Sequence, residues 1–274
     1  MPELPEVQTI VNTLAPKLIG QRILRVELPR PDILTPPNTD LQALLTNQTF
    51  TRIWRRAKRI MFELSTGNHF YIHLGMSGRL TLEQSNHPLQ PHTHLILSTD
   101  NLQLRLRDPR RFGGIWWLGT NGHDDPRLGP EPLQMRAADL AKRLSKTTRA
   151  IKTALLDQSV IAGLGNIYAD EALFVAGINP RRPANKLTQQ QIHRLNLAIK
   201  SVLRRAIRHR GSTLRDYVDA TGGPGAFQKL HRVYDRAGLP CPTCATKIRR
   251  ITLGGRSTHF CPKCQPAKAR GVTE

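Results

Sequence analysis

The sequence predicts an α+β protein: an N-terminal two-sheet antiparallel β-sandwich with flanking helices, then a helical C-terminal domain that ends in a β-hairpin. Apolar residues alternate with a period of two in several segments before residue 120, which is typical of half-buried strands. Glycine, proline, asparagine and aspartate dominate residues 121–133, and helical spacing follows. Two closely spaced cysteine pairs lie near the end of the chain.

The first predicted element is a helix, because apolar residues recur at helical spacing between residues 7 and 18 and Gly20 ends the pattern. The period then changes to two, first over 24–28 and later over 70–76. A polar tetrapeptide at 98–101 joins two further alternating runs, which predicts a β-hairpin over 95–106. Several such strands favour a pair of antiparallel sheets.

A long helix is predicted after Thr188, which forms a capping-box pattern with Gln191. Its inward positions are apolar, and they are Ile192, Leu195, Ile199, Leu203 and Ala206. Near its end it carries four basic residues, Arg204, Arg205, Arg208 and His209. These residues suit the negative end of the helix dipole and a nucleic-acid surface about equally well.

The charge balance predicts a polyanionic partner. Lysine and arginine number 41 against 20 aspartates and glutamates, so the formal net charge is +21, and self-repulsion opposes such an excess. Nucleic acid is favoured over a membrane because no apolar run approaches about 20 residues. The chain does not open with a signal-peptide pattern, so we expect a cytoplasmic, nucleoid-associated protein in which disulfides are rare.

The four cysteines therefore need a different explanation, and their spacing predicts a metal site. Cys241 and Cys244 form one C-x2-C pair, Cys261 and Cys264 form another, and the 16 residues between them are enough for a β-hairpin. Each pair can hold one side of a tetrahedral ion, and four thiolates leave no coordination position open. We expect one structural Zn²⁺, with a turn at Gly254-Gly255.

Four segments together carry a resemblance to a known family. They are MPELPEV at 1–7, DPRRFG at 108–113, GLGNIY at 163–168 and the cysteine hairpin, and they occur in this order. From Pro2 to Cys264 the chain resembles the formamidopyrimidine-DNA glycosylases. The resemblance implies a monomeric bifunctional glycosylase and AP lyase of base excision repair, which removes oxidised purines (8-oxoguanine and formamidopyrimidines) from duplex DNA.

With the composition change, the resemblance also predicts the domain boundaries. The catalytic sandwich covers 1–120 and a linker covers 121–134. A helix–two-turn–helix DNA-binding domain covers 135–237, the zinc-finger hairpin 238–266 and a basic tail 267–274.

The resemblance assigns the nucleophile to Pro2. If Met1 is removed, Pro2 is a secondary amine that can attack the sugar C1′ and form a Schiff base, after which β,δ-elimination cuts the strand. The neighbouring Glu3 is then the general acid and base. The alternative is a helix-start signature, which explains Pro5 and Glu6 but gives no reason for Pro2 to be the first mature residue.

Two further basic residues receive catalytic roles by resemblance. Lys58, in a basic stretch that is predicted to be a strand, binds phosphate and assists base loss or elimination. For its neighbours Arg55 and Arg59 we expect a solvated strand face. Arg256, in the cysteine hairpin, acts at the second elimination by binding phosphate, because guanidinium does not deprotonate in proteins.

An enzyme that extrudes a base from a duplex must fill the gap that the base leaves. The resemblance gives this task to Met76, Arg110 and Phe112. Ordinary core packing remains open for Met76, because it continues the alternation from Phe70. His92 matches a DNA-contacting histidine of the family, and His73 is a second candidate.

Further DNA contacts are predicted in the second half of the chain. The glycines at 163 and 165 can bring backbone N–H groups close to a phosphate at a helix N-terminus, and Asn166 adds a side-chain donor. Lys152 is a further phosphate contact. The family often has lysine where this chain has Thr147, and the adjacent Lys146 is a candidate substitute.

Two more residues belong to the base pocket by resemblance. Glu6 lies near the extruded base, and Tyr217 opens a glycine-rich segment that closes over it.

Two alternative functions remain open from the sequence. One is an endonuclease VIII-like enzyme for oxidised pyrimidines with the same nucleophile, and the other is a non-catalytic zinc-ribbon nucleic-acid binder.

Overall fold

The computed structural model describes residues 2–120 and 125–267, so Met1, part of the predicted linker and most of the predicted basic tail lie outside the described residues. The chain divides into two compact units. The first comprises Met1–Asp125 with Ile207–Gln228, and the second comprises Pro126–Ala206 with Lys229–Glu274. Residues 207–228, which the sequence groups with the helical domain, therefore pack with the sandwich. The periodicity of the sequence cannot show that the chain rejoins the first unit after residue 206.

The first unit is built around helix α1, Leu4–Leu18, whose apolar face is buried as its spacing predicts. Helix α2 is short, Leu41–Leu45, and Asp40 caps it by accepting a hydrogen bond from Ala43 N–H at 2.9 Å. The strands among its described residues are β1 Arg25–Glu27, β2 Leu34–Thr35, β3 Phe50–Arg56, β4 Arg59–Leu64, β5 His69–His73, β6 Arg79–Glu83, β7 Thr93–Ser98, β8 Gln103–Arg107 and β9 Gly114–Gly119.

These strands form two sheets, in the orders β1-β7-β8-β6 and β2-β9-β5-β4-β3. Buried residues of both sheets and of α1 share one apolar core, which confirms the sandwich. The predicted hairpin over 95–106 is β7 and β8, paired antiparallel. One pairing departs from the prediction, because β2 runs parallel to β9 over two residues.

The second unit contains helices and the cysteine hairpin. The helices that begin in it are α3 Ala137–Leu144, α4 Ile151–Leu156, α5 Asn166–Ala176 and α6 Gln189–Arg208. The predicted capping box of α6 is present, because Thr188 N–H donates to Gln191 Oε1 at 3.0 Å and Gln191 N–H donates to Thr188 Oγ1 at 3.3 Å. Strands β10 Arg249–Leu253 and β11 Arg256–Phe260 form the hairpin. Among the described residues, no helix has the length and apolar character needed to cross a membrane.

Candidate active site and metal centre

The N-terminal segment is fixed by a buried carboxylate. Pro2, Glu3 and Glu6 are all buried, and Glu6 Oε2 accepts a hydrogen bond from Glu3 N–H at 2.8 Å, which forms part of a capping box. Glu6 Oε1 accepts from Ser212 N–H at 2.7 Å. The structure thus brings Glu6 beside the predicted nucleophile and uses its carboxylate to hold two backbone segments.

The segment after α6 packs closely on this carboxylate. Gly211 has φ of +75°, and a Cβ atom at this position would lie 2.7 Å from Glu6 Oε1. Tyr217 is buried and donates its hydroxyl hydrogen to the Glu6 carbonyl at 3.3 Å. Burial, with the charge of Glu6, raises the pKa of Tyr217, so the phenol stays protonated and remains a donor.

The glycine-rich segment after Tyr217 is organised by Asp219, which has no exposed surface. Its Oδ1 accepts hydrogen bonds from the N–H groups of Thr221 and Gly223, both at 2.9 Å. Its Oδ2 pairs with the half-exposed guanidinium of Arg210. A sequence reading finds only a loop here, because the spacing of Asp219 and Arg210 matches no periodic pattern.

Lys58 lies in a turn and not on a strand, which corrects the sequence prediction. Ala57 and Lys58 connect β3 to β4, Ala57 has φ of +54°, and Lys58 is 8% exposed. The predicted solvated face of Arg55 and Arg59 is wrong as well. Arg55 donates to Gln8 Oε1 at 3.0 Å and to the Ala57 carbonyl.

Arg59 makes two interactions that remove it from bulk solvent. Its Nη2 lies 2.7 Å from Asp125 Oδ2, and its guanidinium carbon lies 4.4 Å from the centre of the Tyr71 ring. Of the basic stretch 55–59, both residues that were expected to face water therefore have protein partners. Arginine stacks on aromatic faces and pairs with carboxylates, so a strand arginine has alternatives to solvent.

His73 ends strand β5 as a neutral side chain. Burial first, and then the positive charges of Lys58 and Arg59, lower its pKa from 6.5 to about 4. Its Nδ1 accepts a hydrogen bond from Gly75 N–H at 3.2 Å. The structure thus gives His73 a turn-forming contact, and its predicted DNA contact stays a prediction.

The three predicted gap-filling residues lie on exposed loops of the first unit. Strand β5 ends at His73, so the alternation stops before Met76, which is 42% exposed in a turn. Core packing of Met76 is therefore wrong. Phe112 is 56% exposed, and the guanidinium carbon of Arg110 lies 4.8 Å from the centre of its ring. His92 is exposed on a third loop, with φ of +67°.

In the second unit, Asn166 is the first residue of α5 and follows Gly165 at the N-cap, as the phosphate-site prediction requires. Its Nδ2 donates to Ser257 Oγ on β11 at 3.3 Å, while its Oδ1 is buried with no hydrogen-bond partner among the described residues. Lys146 and the half-buried Thr147 follow α3, and Lys146 is exposed.

The prediction that Lys152 contacts phosphate disagrees with the structure. Its side chain has no exposed surface, and its Nζ lies 2.6 Å from Asp170 Oδ1 and 2.6 Å from the Ser257 carbonyl. Asp170 also accepts a hydrogen bond from His259 N–H at 2.8 Å. A charge buried in this way is satisfied inside the unit, so Lys152 positions strand β11 and cannot reach a ligand in this arrangement.

The four cysteines meet as their spacing predicts. Their sulfur atoms all lie within 4.8 Å of one another, and the Cys244–Cys261, Cys244–Cys264 and Cys241–Cys264 sulfur pairs are 3.5, 3.5 and 3.8 Å apart. A tetrahedral Zn²⁺ with Zn–S bonds of about 2.3 Å separates its sulfur ligands by about 3.8 Å. The residues therefore fit zinc.

The hairpin between the cysteine pairs has the predicted turn. Gly254 and Gly255 have φ of +54° and +71°, and they connect Leu253 to Arg256, which face each other in the strand register. Positive φ at both central residues of a two-residue loop is the type I′ pattern. Arg256 is exposed immediately after this turn.

Comparison with known proteins decides the family. Residues 1–115 match the formamidopyrimidine-DNA glycosylase N-terminal domain, residues 128–218 match its H2TH domain, and residues 238–267 match a zinc finger found in FPG and IleRS. The chain belongs to the formamidopyrimidine-DNA glycosylase family. This finding confirms the resemblance on which the site predictions depend.

Several proteins of the family are similar to the chain over nearly its full length. Formamidopyrimidine-DNA glycosylase of Gluconobacter oxydans is 46% identical, and the match covers 97% of this chain and all of the relative. The enzyme of Bacillus subtilis is 43% identical over 98% and 100%. Such full-length similarity favours Fpg over an endonuclease VIII-like enzyme, and an N-terminal domain match disfavours a lone zinc ribbon.

Solved structures of the family share this fold. Lactococcus lactis Fpg in complex with DNA containing an abasic site has a TM-score of 0.91 and 36% identity, covering 96% of this chain and 99% of that chain. A variant of the same protein was solved with Fapy-dG DNA, with a TM-score of 0.91, 35% identity and coverage of 97% and 100%. MutM (Fpg) from Thermus thermophilus has a TM-score of 0.86 and 40% identity over 96% and 98%.

Proposed function

We propose that this protein is a bifunctional DNA glycosylase and AP lyase that removes oxidised purines from duplex DNA by using Pro2 as its nucleophile. The observation that carries the proposal is the position of Pro2. It directly precedes the buried Glu3, at the fixed start of α1, in a chain of the formamidopyrimidine-DNA glycosylase family. The DNA in the solved Lactococcus lactis complexes, with Fapy-dG or an abasic site, supports this substrate class.

The proposed chemistry begins with base release. The Pro2 nitrogen attacks C1′, the bond between C1′ and the base breaks, and Glu3 supplies the proton that the departing purine takes up. The Pro2 nitrogen loses its N–H proton, and O4′ takes up a proton as the C1′–O4′ bond breaks. The sugar ring opens, which leaves an iminium between Pro2 and C1′. A secondary amine forms a permanently cationic iminium, so the product is an electron sink.

That electron sink acidifies the C2′ proton. When a base removes this proton, the C3′–O3′ bond breaks and the 3′ phosphate leaves, which is the β-elimination. Loss of the C4′ proton then breaks the C5′–O5′ bond, which is the δ-elimination. Lys58 and Arg256 would bind phosphate or assist proton transfer in these steps, and Arg256 acts as a cation.

Gap filling in the duplex is proposed for three exposed side chains. Met76, Arg110 and Phe112 would fill the gap in the duplex, with an apolar wedge and a planar guanidinium for the orphaned partner base. Further DNA contacts are proposed for His92, His73, Asn166, Glu6 and Tyr217. Lys146 remains the candidate in place of the family lysine at Thr147.

The proposal also covers the metal ion, the oligomeric state and the cellular location. One structural Zn²⁺ would be held by the four thiolates and would fix the hairpin that carries Arg256. We expect a monomer in the cytoplasm, associated with the nucleoid, with its domain boundaries at 120, 134, 237 and 266 except that residues 207–228 pack with the sandwich. The net charge of +21 supports the DNA partner, because phosphate contacts supply most of such affinity.

Borohydride trapping tests the nucleophile directly. The purified chain is incubated with duplexes that contain 8-oxoguanine or thymine glycol, reduced, and analysed by intact mass spectrometry. We expect an adduct with 8-oxoguanine DNA and a free Pro2 as the first residue. A matched protein that carries one uncleaved residue before Pro2 should form no adduct.

Each other outcome favours a named alternative. An adduct mainly with thymine glycol DNA favours an endonuclease VIII-like enzyme. No adduct with either substrate favours a non-catalytic nucleic-acid binder. Full activity of the protein that keeps a residue before Pro2 would falsify the Pro2 mechanism.

A further inference from the structure

Asp108 is a buried carboxylate of the first unit that none of the proposed steps uses. It follows β8 directly and is 2% exposed. Asp108 contacts three segments: the Met76 turn (residues 74–78), its own Arg110 loop (108–113) and the His92 loop (84–92). Each segment carries at least one predicted DNA contact.

The Asp108 carboxylate binds the Met76 turn through Ser77, the residue that follows Met76. Ser77 is 8% exposed, and its hydroxyl donates to Asp108 Oδ1 at 2.6 Å. The same hydroxyl oxygen accepts a hydrogen bond from Arg110 N–H at 3.3 Å. Ser77 therefore links the Met76 turn to the Arg110 loop at their shared contact with Asp108.

The carboxylate also holds both ends of the Arg110 loop. Asp108 Oδ2 accepts from Gly113 N–H at 2.8 Å, and Oδ1 accepts from Arg110 N–H at 3.3 Å. These two amides lie on either side of Phe112. A carboxylate that accepts backbone N–H groups makes stronger hydrogen bonds than a neutral acceptor, so it can hold an irregular loop in one conformation.

The backbone of Asp108 reaches the third segment. Its N–H donates to the His92 carbonyl at 3.0 Å, and His94 Nε2–H donates to the Asp108 carbonyl at 2.9 Å. His94 is 5% exposed at the start of β7, immediately beyond the His92 loop. The position of the His92 backbone thus depends on the position of the Asp108 backbone.

Two glycines show how tightly these segments pack. A Cβ atom on Gly113 would lie 2.6 Å from the His73 carbonyl and 3.1 Å from Asp108 Oδ2. A Cβ atom on Gly75, whose φ is +57°, would lie 2.3 Å from the backbone carbon of Phe112. The Met76 turn and the Arg110 loop are therefore in backbone contact, so neither can shift alone.

We infer that Asp108 is a positioning residue that holds the Met76 turn, the Arg110 loop and the His92 loop as one preorganised DNA-contacting unit. The inference rests on the proposed function, because it concerns how the gap in the duplex is filled. Side chains that enter a duplex together must be held in register, and each loop that has to be ordered during binding weakens the interaction.

The test uses two substrates that differ in their need for gap filling. One duplex has 8-oxoguanine opposite cytosine, and the other has 8-oxoguanine opposite an abasic nucleotide, where no orphaned base needs support. The variant is Asp108→Asn, which has nearly the same shape but replaces one acceptor oxygen with an amino group. If the amino group faces Gly113, the hydrogen bond of Gly113 N–H is lost. If it faces Ser77, the Ser77 hydroxyl can only accept from it, and the hydrogen bond of Arg110 N–H to this position is lost.

We expect Asp108→Asn to lower kcat/KM on the paired substrate by roughly 10- to 100-fold, the range for losing a hydrogen bond to a charged group. On the substrate without an opposing base the decrease should be several times smaller. A general loss of structure would lower both rates equally. Asp40→Asn is the matched control, because Asp40 caps α2 through Ala43 N–H and asparagine caps helices as well.

Ser77→Ala provides a second, milder variant in case Asp108→Asn folds poorly. It removes one hydrogen bond of the carboxylate, so it should lower the paired-substrate rate less than Asp108→Asn and with the same substrate preference. The double variant should resemble Asp108→Asn alone, because both changes break one network.

The outcomes separate this inference from the proposed function. A wild-type protein that forms no borohydride adduct overturns the proposed function. An active wild type with an unaffected Asp108→Asn variant overturns only the positioning role. Equal losses on the two substrates, or effects of Ser77→Ala and Asp108→Asn that simply add, also overturn it.

Discussion

Both units hold loop amides with buried carboxylates, and they differ in what the second unit adds to them. In the first unit, buried carboxylates accept hydrogen bonds from loop amides, as Glu6 does from Ser212, Asp108 from Gly113 and Asp219 from Gly223. In the second unit, Glu171 accepts from the N–H groups of Val233 and Tyr234 in the same way. This unit also has a cysteine cluster and the buried Lys152–Asp170 pair, which hold the hairpin. A chain with only 20 acidic residues thus keeps several of them inside as loop anchors, which leaves its excess cations for a polyanion.

This difference predicts that the second unit depends on metal and the first does not. Cys244→Ser should release Zn²⁺ and unfold the hairpin, because structural zinc binding contributes roughly 10–16 kcal/mol in zinc fingers. We expect DNA affinity to be lost while the sandwich keeps its cooperative thermal transition. Zinc release is measured with a colorimetric chelator, and Thr243→Ser in the same knuckle is the control. Full DNA affinity without zinc would show that the hairpin is dispensable.

Breaking the Lys152–Asp170 ion pair of the second unit should have the next largest effect, which is a loss of stability. Lys152→Met leaves Asp170 as an uncompensated buried charge, so we expect a loss of about 3–5 kcal/mol in the free energy of unfolding. Denaturant titration measures it, and Lys142→Met on the exposed side of α3 should change stability by less than about 0.5 kcal/mol. Adding Asp170→Leu to Lys152→Met should restore much of the loss, and failure of that rescue would contradict the ion-pair explanation.

Replacing Asp219, a loop carboxylate of the first unit, should lower stability less and should affect mainly its own loop. Asp219→Asn weakens the Arg210 pair and one side of the loop, which we expect to cost about 1–3 kcal/mol. Amide hydrogen exchange at Thr221 and Gly223 should accelerate, since these N–H groups donate to Asp219. Asp216→Asn is the control, because Asp216 is largely exposed beside Arg79. Unchanged exchange at both amides would rule out Asp219 as their anchor.

The smallest expected effect is a pH dependence from His73. Its pKa in the folded state is about 4, below the ordinary 6.5, so between these values the unfolded chain binds more protons than the folded one. Stability should therefore fall as pH decreases from 6.5 towards 4, on the order of 1 kcal/mol or more. His231 in the second unit has a pKa of about 4 for the same reason, burial, and acts in the same direction.

His73→Gln isolates the contribution of the first unit, because glutamine can accept the Gly75 hydrogen bond but does not titrate. The variant should show a flatter stability profile between pH 4 and 6.5 in denaturant titrations. His87→Gln, at an exposed site, is the control. A profile for His73→Gln that is as steep as that of the wild type would assign the pH dependence to other groups.

Local features of the site were predictable and their partners were not. The cysteine spacing predicted a cluster that the structure contains, and the glycine pair predicted the turn before Arg256. Lys58 was assigned to a strand because the turn between β3 and β4 has only two residues and no glycine or proline signal. Lys152 was taken for a phosphate contact because a lysine in a basic protein gives no local sign of burial.

The sequence by itself determined helix α1, the strand periodicity, the zinc hairpin and the family, since each depends on residue types at short, regular spacing. Only the tertiary structure decided which charges are buried and which loops they hold. Glu6 and Ser212 are 206 positions apart, and Ser77 and Asp108 are 31 apart. A hydrogen bond is local in space but not along the chain, so these anchors exist only once the chain has folded.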